Sequence, residues 1–305
     1  MTRGSRAGSA RPAPPGPPDE TLLLGAVSRD RYLAAGDELP GGGALNVAWH
    51  LRQLGRPFRL VTRLGDRDAG AALRLLDRNG IPYLPGSIVA PGRSAAIDIV
   101  IEPDRQPFMD HFVEGVWASF RLTPDEEALL AGAGHLHAVL VEGAIAELER
   151  LAAAGRLRGI EVAADFLGFR HYTVERFART MAGVDVGFVG WPGDPDDPAV
   201  AGLRSVAFEL GRLVIVTMGA RSVRVFDGRG APREREIPVR ALPVEGTTLG
   251  CGDAFIAYCL DELWRSGDVV AAVERGKAGG ALATRWSRPL PDSVYVAVSA
   301  DTTHP

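Results

Sequence analysis

Lysine is almost missing from this chain. Lys277 is the single lysine among 34 basic residues, and the arginine used everywhere else reads as GC-rich codon usage rather than as a binding device. Net charge is −4, so nothing electrostatic favours a nucleic-acid partner. Cysteine is scarce too: Cys251 and Cys259 stand eight apart on one expected helix, too far to bridge each other and without metal-ligand spacing. No apolar run nears the ~20 residues of a membrane span. The N-terminal arginines are followed by no apolar core, which argues against a signal peptide, and the expected location is the cytoplasm. A Walker A sequence is lacking, because Gly276-Lys277 runs into Ala278 without the leading glycine, and no Gly-x-Ser-x-Gly elbow occurs. Size, by contrast, is ample: 305 residues, 46% of them apolar, can bury one large α/β core or two smaller ones.

Residues 1–19 are rich in Gly, Pro, Ser, Arg and Ala without periodicity, and are expected to be a disordered extension of one domain over 20–305. Strands are expected at 21–27, 58–63, 81–84, 138–141, 160–164, 184–189, 213–217 and 223–226. Helices are expected at 44–54, 70–78, 124–131, 144–154, 174–181, 199–210, 254–265 and 269–284. Alternation at this spacing argues for a largely parallel sheet covered on both faces. Two segments break the rhythm. The stretch near 31–40 is short and polar, and within 94–113 Ile97, Ile99 and Ile101 share one strand face opposite Asp98 and Glu102. Both suit a small half-exposed sheet. His135 and His137 lie two apart at a strand approach with no third ligand, and read as structural or surface residues.

The stretch Thr247-Thr248-Leu249-Gly250-Cys251-Gly252-Asp253-Ala254-Phe255 carries the most chemistry. Two glycines flank one small residue, a carboxylate follows, and a helical apolar pattern begins at once. Such a turn can aim free backbone N–H groups at one point, with the helix N-terminus adding positive potential. It suits transfer of a phosphoryl group to a hydroxyl: Asp253 accepts the proton while Gly250, Cys251 and Gly252 hold the phosphate charge. A plain strand-to-helix turn with Asp253 as a first-turn acid fits Gly-x-Gly-Asp alone equally well.

The wider pattern resembles the second signature of the ribokinase/PfkB family of sugar kinases, Asp-Thr-x-Gly-Ala/Cys-Gly-Asp-Ala/Ser-Phe. Some 200 residues upstream, Gly41-Gly42-Gly43-Ala44-Leu45-Asn46 resembles its first signature, Gly-Gly-Asn-x-x-Asn. The resemblance runs from about Leu22 to about Trp286. It implies an α/β, ribokinase-like three-layer sandwich with a small β lid, built from the segments near 31–40 and 94–113. ATP and Mg²⁺ are implied as cofactors and a small-molecule sugar as substrate, bound by Gly42, Asn46 and Asp30, which follows the first strand. Val214-Ile215-Val216-Thr217-Met218-Gly219 is similar to the family's nucleotide strand, implying that Thr217 and Gly219 lie beside the phosphates. The small-residue run from Gly276 to Thr284 resembles the helix walling the adenine, although helix packing explains it nearly as well. Lid strands often pair between subunits in the family, so a homodimer is expected. Within the family, the run Thr248–Ala257 and the passage Asp110–Phe120 look most like fructoselysine 6-kinases.

Four departures stand out. Gly43 replaces the usual Asn, Thr247 replaces the opening Asp with Glu245 two residues earlier, and Ser222 replaces a glycine. The Asn-x-x-Glu motif that orders Mg²⁺ is absent from Gly190–Asp197, whose Asp194, Asp196 and Asp197 read as an exposed acidic loop, so metal residues stay unassigned. The expected function is therefore ATP-dependent phosphorylation of a sugar-type hydroxyl, with fructoselysine or another fructosamine at its 6-hydroxyl as one candidate. A non-catalytic sugar or nucleotide sensor and a nucleoside kinase of the same superfamily are the rival readings.

Overall fold

The computed structural model describes residues 20–169 and 172–296, so the expected extension at 1–19 lies outside the described residues. The chain opens with β1 (Thr21–Leu24), β2 (Ser28–Tyr32), β3 (Asp37–Gly41), α1 (Gly43–Gln53), β4 (Phe58–Val61), β5 (Leu64–Gly65) and α2 (Gly70–Arg78). Then come β6 (Val89–Ala90), β7 (Ala95–Ile101), β8 (Pro107–Val113), a 3-10 turn at Gly115–Ser119, α3 (Pro124–Gly132), β9 (His135–Val139) and α4 (Glu142–Ala153). The middle holds β10 (Glu161–Asp165), α5 (Val174–Met181), β11 (Val186–Gly190), α6 (Pro198–Leu210) and β12 (Leu213–Thr217). It ends with β13 (Ser222–Asp227), β14 (Arg233–Pro238), α7 (Cys251–Ser266), α8 (Val269–Ala283) and α9 (Asp292–Tyr295).

Eight strands form the central sheet in the order β14-β13-β12-β11-β10-β9-β1-β4. Every pairing from β12 to β4 is parallel, and β13 and β14 add antiparallel at one edge. Alternation along the strands separates the two faces. Leu22, Leu24, Leu136, Val162, Val214 and Val216 pack with residues of α3 to α6, whereas Leu23, Leu213 and Ile215 face the layer of α1, α2, α7 and α8. A strand buried on both sides needs an apolar run, and Leu213–Thr217 supplies one.

A second sheet, β3-β2-β7-β8, stands apart from the first and contains both segments expected to break the rhythm. Here the sequence reading needs three corrections. The first strand stops at Leu24, and β2 starts at Ser28, so Asp30 sits on a lid strand rather than in a loop after the first strand. Residues 81–84 form a single bridge, Leu60 to Tyr83, instead of a strand, because Pro82 and Pro85 interrupt them. β14, Arg-Glu-Arg-Glu-Ile-Pro, was not expected: its charged side chains suit an exposed sheet edge and hide the strand period. His137 is fully buried, and burial lowers its pKa to about 3, while His135 lies 4.5 Å from the Trp264 ring; both fit the structural reading.

Candidate active site

Helix α7 starts at the Gly250–Asp253 turn, and α1 starts at the Gly41–Gly43 run. Where these two N-termini meet, Asn46 Nδ2 donates to Asp253 Oδ2 at 2.8 Å across 207 residues of sequence. The two signature segments are thus one physical site. Each glycine of the first segment clears a specific space. A Cβ on Gly41 would fall 1.9 Å from Asp30 Oδ2, and one on Gly43 would fall 2.9 Å from Asp253 Oδ1. Gly42 has φ of +95°, and a Cβ there would meet the Ala26 carbonyl at 2.6 Å. The missing Asn at position 43 therefore has a local account, since the Asp253 carboxylate occupies the room a side chain would take.

Asp30 is buried at 4% exposure and accepts the Ser28 hydroxyl at 2.6 Å. Burial raises its pKa to about 6 against the Ser28 hydrogen bond, and the nearby Asp253 charge adds to the rise. Asp253 is likewise lifted to about 6 by burial, which the Asn46 hydrogen bond partly offsets. A third carboxylate, Asp165, ends β10 at the same sheet edge. It is 6% exposed, and burial with repulsion from Asp253 pushes it up to about 7. The sequence reading missed it, although it has the signal given to Asp30: a carboxylate closing an apolar strand, where α/β ligand sites form.

At the cradle, Gly250 takes the left-handed conformation and packs against Pro289. The Cys251 N–H donates to the Thr248 carbonyl at 3.2 Å, whereas the Gly252 and Asp253 N–H groups have no backbone acceptor among the described residues. The free donors of α7 are therefore Gly252 and Asp253 more than Cys251, whose thiol is pushed up to about 12 by burial. Thr247 and Thr248 tie the cradle to the tip of the β7–β8 hairpin. The Thr247 hydroxyl donates to the Arg105 carbonyl at 3.0 Å and accepts from Leu249 N–H at 3.2 Å; Thr248 N–H also reaches Arg105 O at 3.1 Å.

Thr217 closes β12, two strands beyond β10 on the same edge, and Gly219 lies in the turn that follows. Gly219 has φ of +61° and open space where a side chain would stand. The glycines of α8 serve packing: a Cβ on Gly276 or Gly279 would strike Phe255 or Tyr258 of α7. Among the described residues no group of three or more His, Cys, Asp or Glu could hold a metal. The Asp194–Asp197 loop is already committed, with Asp194 accepting from Asp196 N–H and Asp197 capping α6.

No family model matches the chain. The chain is 28% identical to fructoselysine 6-kinase of Escherichia coli over 229 residues, 75% of this chain and 83% of that protein. In structure it is similar to Arabidopsis thaliana ribokinase complexed with ribose and ATP, with a TM-score of 0.71 at 17% identity over 93% of this chain and 99% of that one. It is also similar to Schistosoma mansoni adenosine kinase in complex with 2-fluoroadenosine, with a TM-score of 0.73 at 13% identity over 91% and 98%. At those identities the two structures speak for the fold. With this fold, the two joined segments and the similarity to fructoselysine 6-kinase in agreement, the chain is a carbohydrate kinase with a ribokinase-like fold.

Proposed function

We propose that the protein transfers the γ-phosphoryl group of ATP to a hydroxyl of a sugar derivative, with a fructosamine such as fructoselysine, phosphorylated at its 6-hydroxyl, as the leading acceptor. The single observation that carries the reading is the 2.8 Å hydrogen bond from Asn46 to Asp253. It joins the Asn46 amide to a carboxylate of raised basicity at the start of a helix with free N–H groups, which supports a site that handles a hydroxyl. Asp253 takes the proton of the attacking hydroxyl, and its pKa of about 6 leaves it ionised yet more basic than an ordinary aspartate at neutral pH. Asp30, Gly42 and Asn46 hold the substrate. Gly250, Cys251 and Gly252 shape the turn that receives the transferred phosphate, with Gly252 N–H the open donor. Thr217 and Gly219 flank the nucleotide phosphates. Similarity to a ribokinase solved with ATP supports the donor.

The described residues do not offer Mg²⁺ a ready cluster of direct ligands. The lid sheet excludes water from the reacting hydroxyl and limits wasteful hydrolysis. Strand β8 exposes Phe108, Met109, Phe112 and Val113, which supports a homodimer formed through the lid.

The rival reading, a sensor without catalysis, rests on Gly43 and Thr247. Both have structural accounts that leave the Asp253 site intact, which weakens that rival. The test is ADP release with ATP and Mg²⁺ across fructoselysine, other fructosamines, ketoses, aldoses and nucleosides. Turnover with fructosamines is expected. Turnover confined to nucleosides would replace the acceptor, and none at all, with sugar still bound, would sink the kinase reading.

A further inference from the structure

The site is a surplus of acceptors. Asp30, Asp165 and Asp253 lie close enough for the charge of Asp253 to raise the proton affinity of the other two. Among the described residues no Lys, Arg or His forms an ion pair with any of the three. Asn46 points the same way independently. It is 97% buried by its 3% exposure, its Nδ2 is taken by Asp253, and its Oδ1 has no partner. A buried acceptor left open costs free energy until a donor arrives.

Hydroxyl groups of a neutral sugar can serve Asn46, Asp30 and Asp253, each by one donated hydrogen. They bring no positive charge to the third buried carboxylate. Asp165 is fixed in place: its Oδ1 accepts Leu167 N–H at 2.9 Å, in a loop where Leu167 and Phe169 hold φ of +54° and +58°. Its Oδ2 has no hydrogen-bond partner among the described residues. β10 lies between β9 and β11, and Asp165 pairs with Val139 of β9; a Cβ on Gly43 would stand 3.1 Å from Val139 Cγ1 and 2.9 Å from Asp253 Oδ1, so the strand end that carries Asp165 borders the Asp253 site.

We infer that Asp165 is the specificity-determining residue of this pocket, and that it selects a sugar derivative carrying a protonated amine over its neutral counterpart. The inference rests on the reading of this site as a sugar-kinase acceptor pocket, and it gives Asp165 a role distinct from proton transfer. An ammonium group placed on Asp165 makes a charge-assisted hydrogen bond and relieves the repulsion among all three carboxylates at once.

Calorimetric binding in EDTA, without nucleotide, tests this free of metal and of turnover. The probes are 1-amino-1-deoxyfructose and fructose, on the wild-type chain and on Asp165→Asn, which keeps an acceptor for Leu167 N–H. The wild type should bind the amino sugar at least about tenfold tighter than fructose, as expected for one hydrogen bond to a charged group. In Asp165→Asn the two affinities should fall within about twofold of each other. The ratio within one variant guards against a general loss of folding. Equal affinities in the wild type, a preference that survives Asp165→Asn, or no binding of either sugar would overturn the inference. ADP release measured beside it separates the two claims. Preference without turnover removes the kinase reading and leaves Asp165 its role; turnover on fructose and amino sugar alike removes the role and leaves the kinase.

Discussion

Replacing Asp253 by Asn should stabilise the protein while abolishing turnover, and the two effects have one cause. Burial lifts the Asp253 carboxyl from 3.8 to about 6, so the folded state holds a proton that the unfolded chain releases. The ionised form is thus penalised in the fold. That penalty is absent below the unfolded value of 3.8, grows between there and about 6, and is constant above it. Raising the carboxyl from 3.8 to about 6 corresponds to about 3 kcal/mol. Asp253 retains some solvent exposure, so the gain from Asn should lie between about 1 and 3 kcal/mol above pH 7. In a chain of this size that is a rise in Tm of about 2–6 °C. Asn at 253 can still accept the Asn46 amide, so the packing of α1 on α7 is kept. Thermal melts of both proteins at pH 8, 6 and 4 make the assay. The Tm difference should be largest at pH 8 and vanish toward pH 4. An equal or lower Tm for Asp253→Asn at pH 8, or a gain indifferent to pH, would refute the argument that this carboxylate is held at a cost.

Two further substitutions probe the walls of the site. Gly41→Ala forces a methyl into a space 1.9 Å from Asp30 Oδ2, so Asp30 must leave its Ser28 partner; a cost of about 1–3 kcal/mol and a KM for the acceptor raised about tenfold are expected. Melts and initial rates would check it, and an unchanged KM would show that Asp30 does not hold the acceptor. Thr247→Val keeps the shape but removes the hydroxyl that bonds Arg105 O and Leu249 N–H, at about 1–3 kcal/mol. Hydrogen exchange at the hairpin tip 102–106 should accelerate, and unaltered protection there would show that Thr247 does not latch the lid.

The sequence carried the layers because strands buried on both faces must be apolar runs and helices must show a buried stripe; residues 213–217 and 174–181 match their elements end for end. It failed where tertiary context decides. β14 is charged because it is an edge, and Asp30 rides a lid strand whose start at Ser28 no local pattern marks. At the site, Asp253 stood out as the carboxylate of its glycine turn and Asn46 through the family resemblance, but their contact across 207 residues was not legible. Gly41 and Gly43 were visible as members of a glycine run before a helix, whereas their use, making room for two carboxylates, needs the third dimension. Asp165 escaped because a lone strand-end aspartate gains meaning only beside Asp253.

The most direct measurement of the central claim is product formation by wild type and Asp253→Asn, with fructoselysine, ATP and Mg²⁺, alongside ATP binding to each. The account predicts a phosphorylated acceptor with the wild type and at least a hundredfold less, on the order of 10² to 10⁴, with Asp253→Asn, while ATP affinity stays nearly the same. A near-normal rate in Asp253→Asn would contradict it and take the proton-accepting role away from this residue.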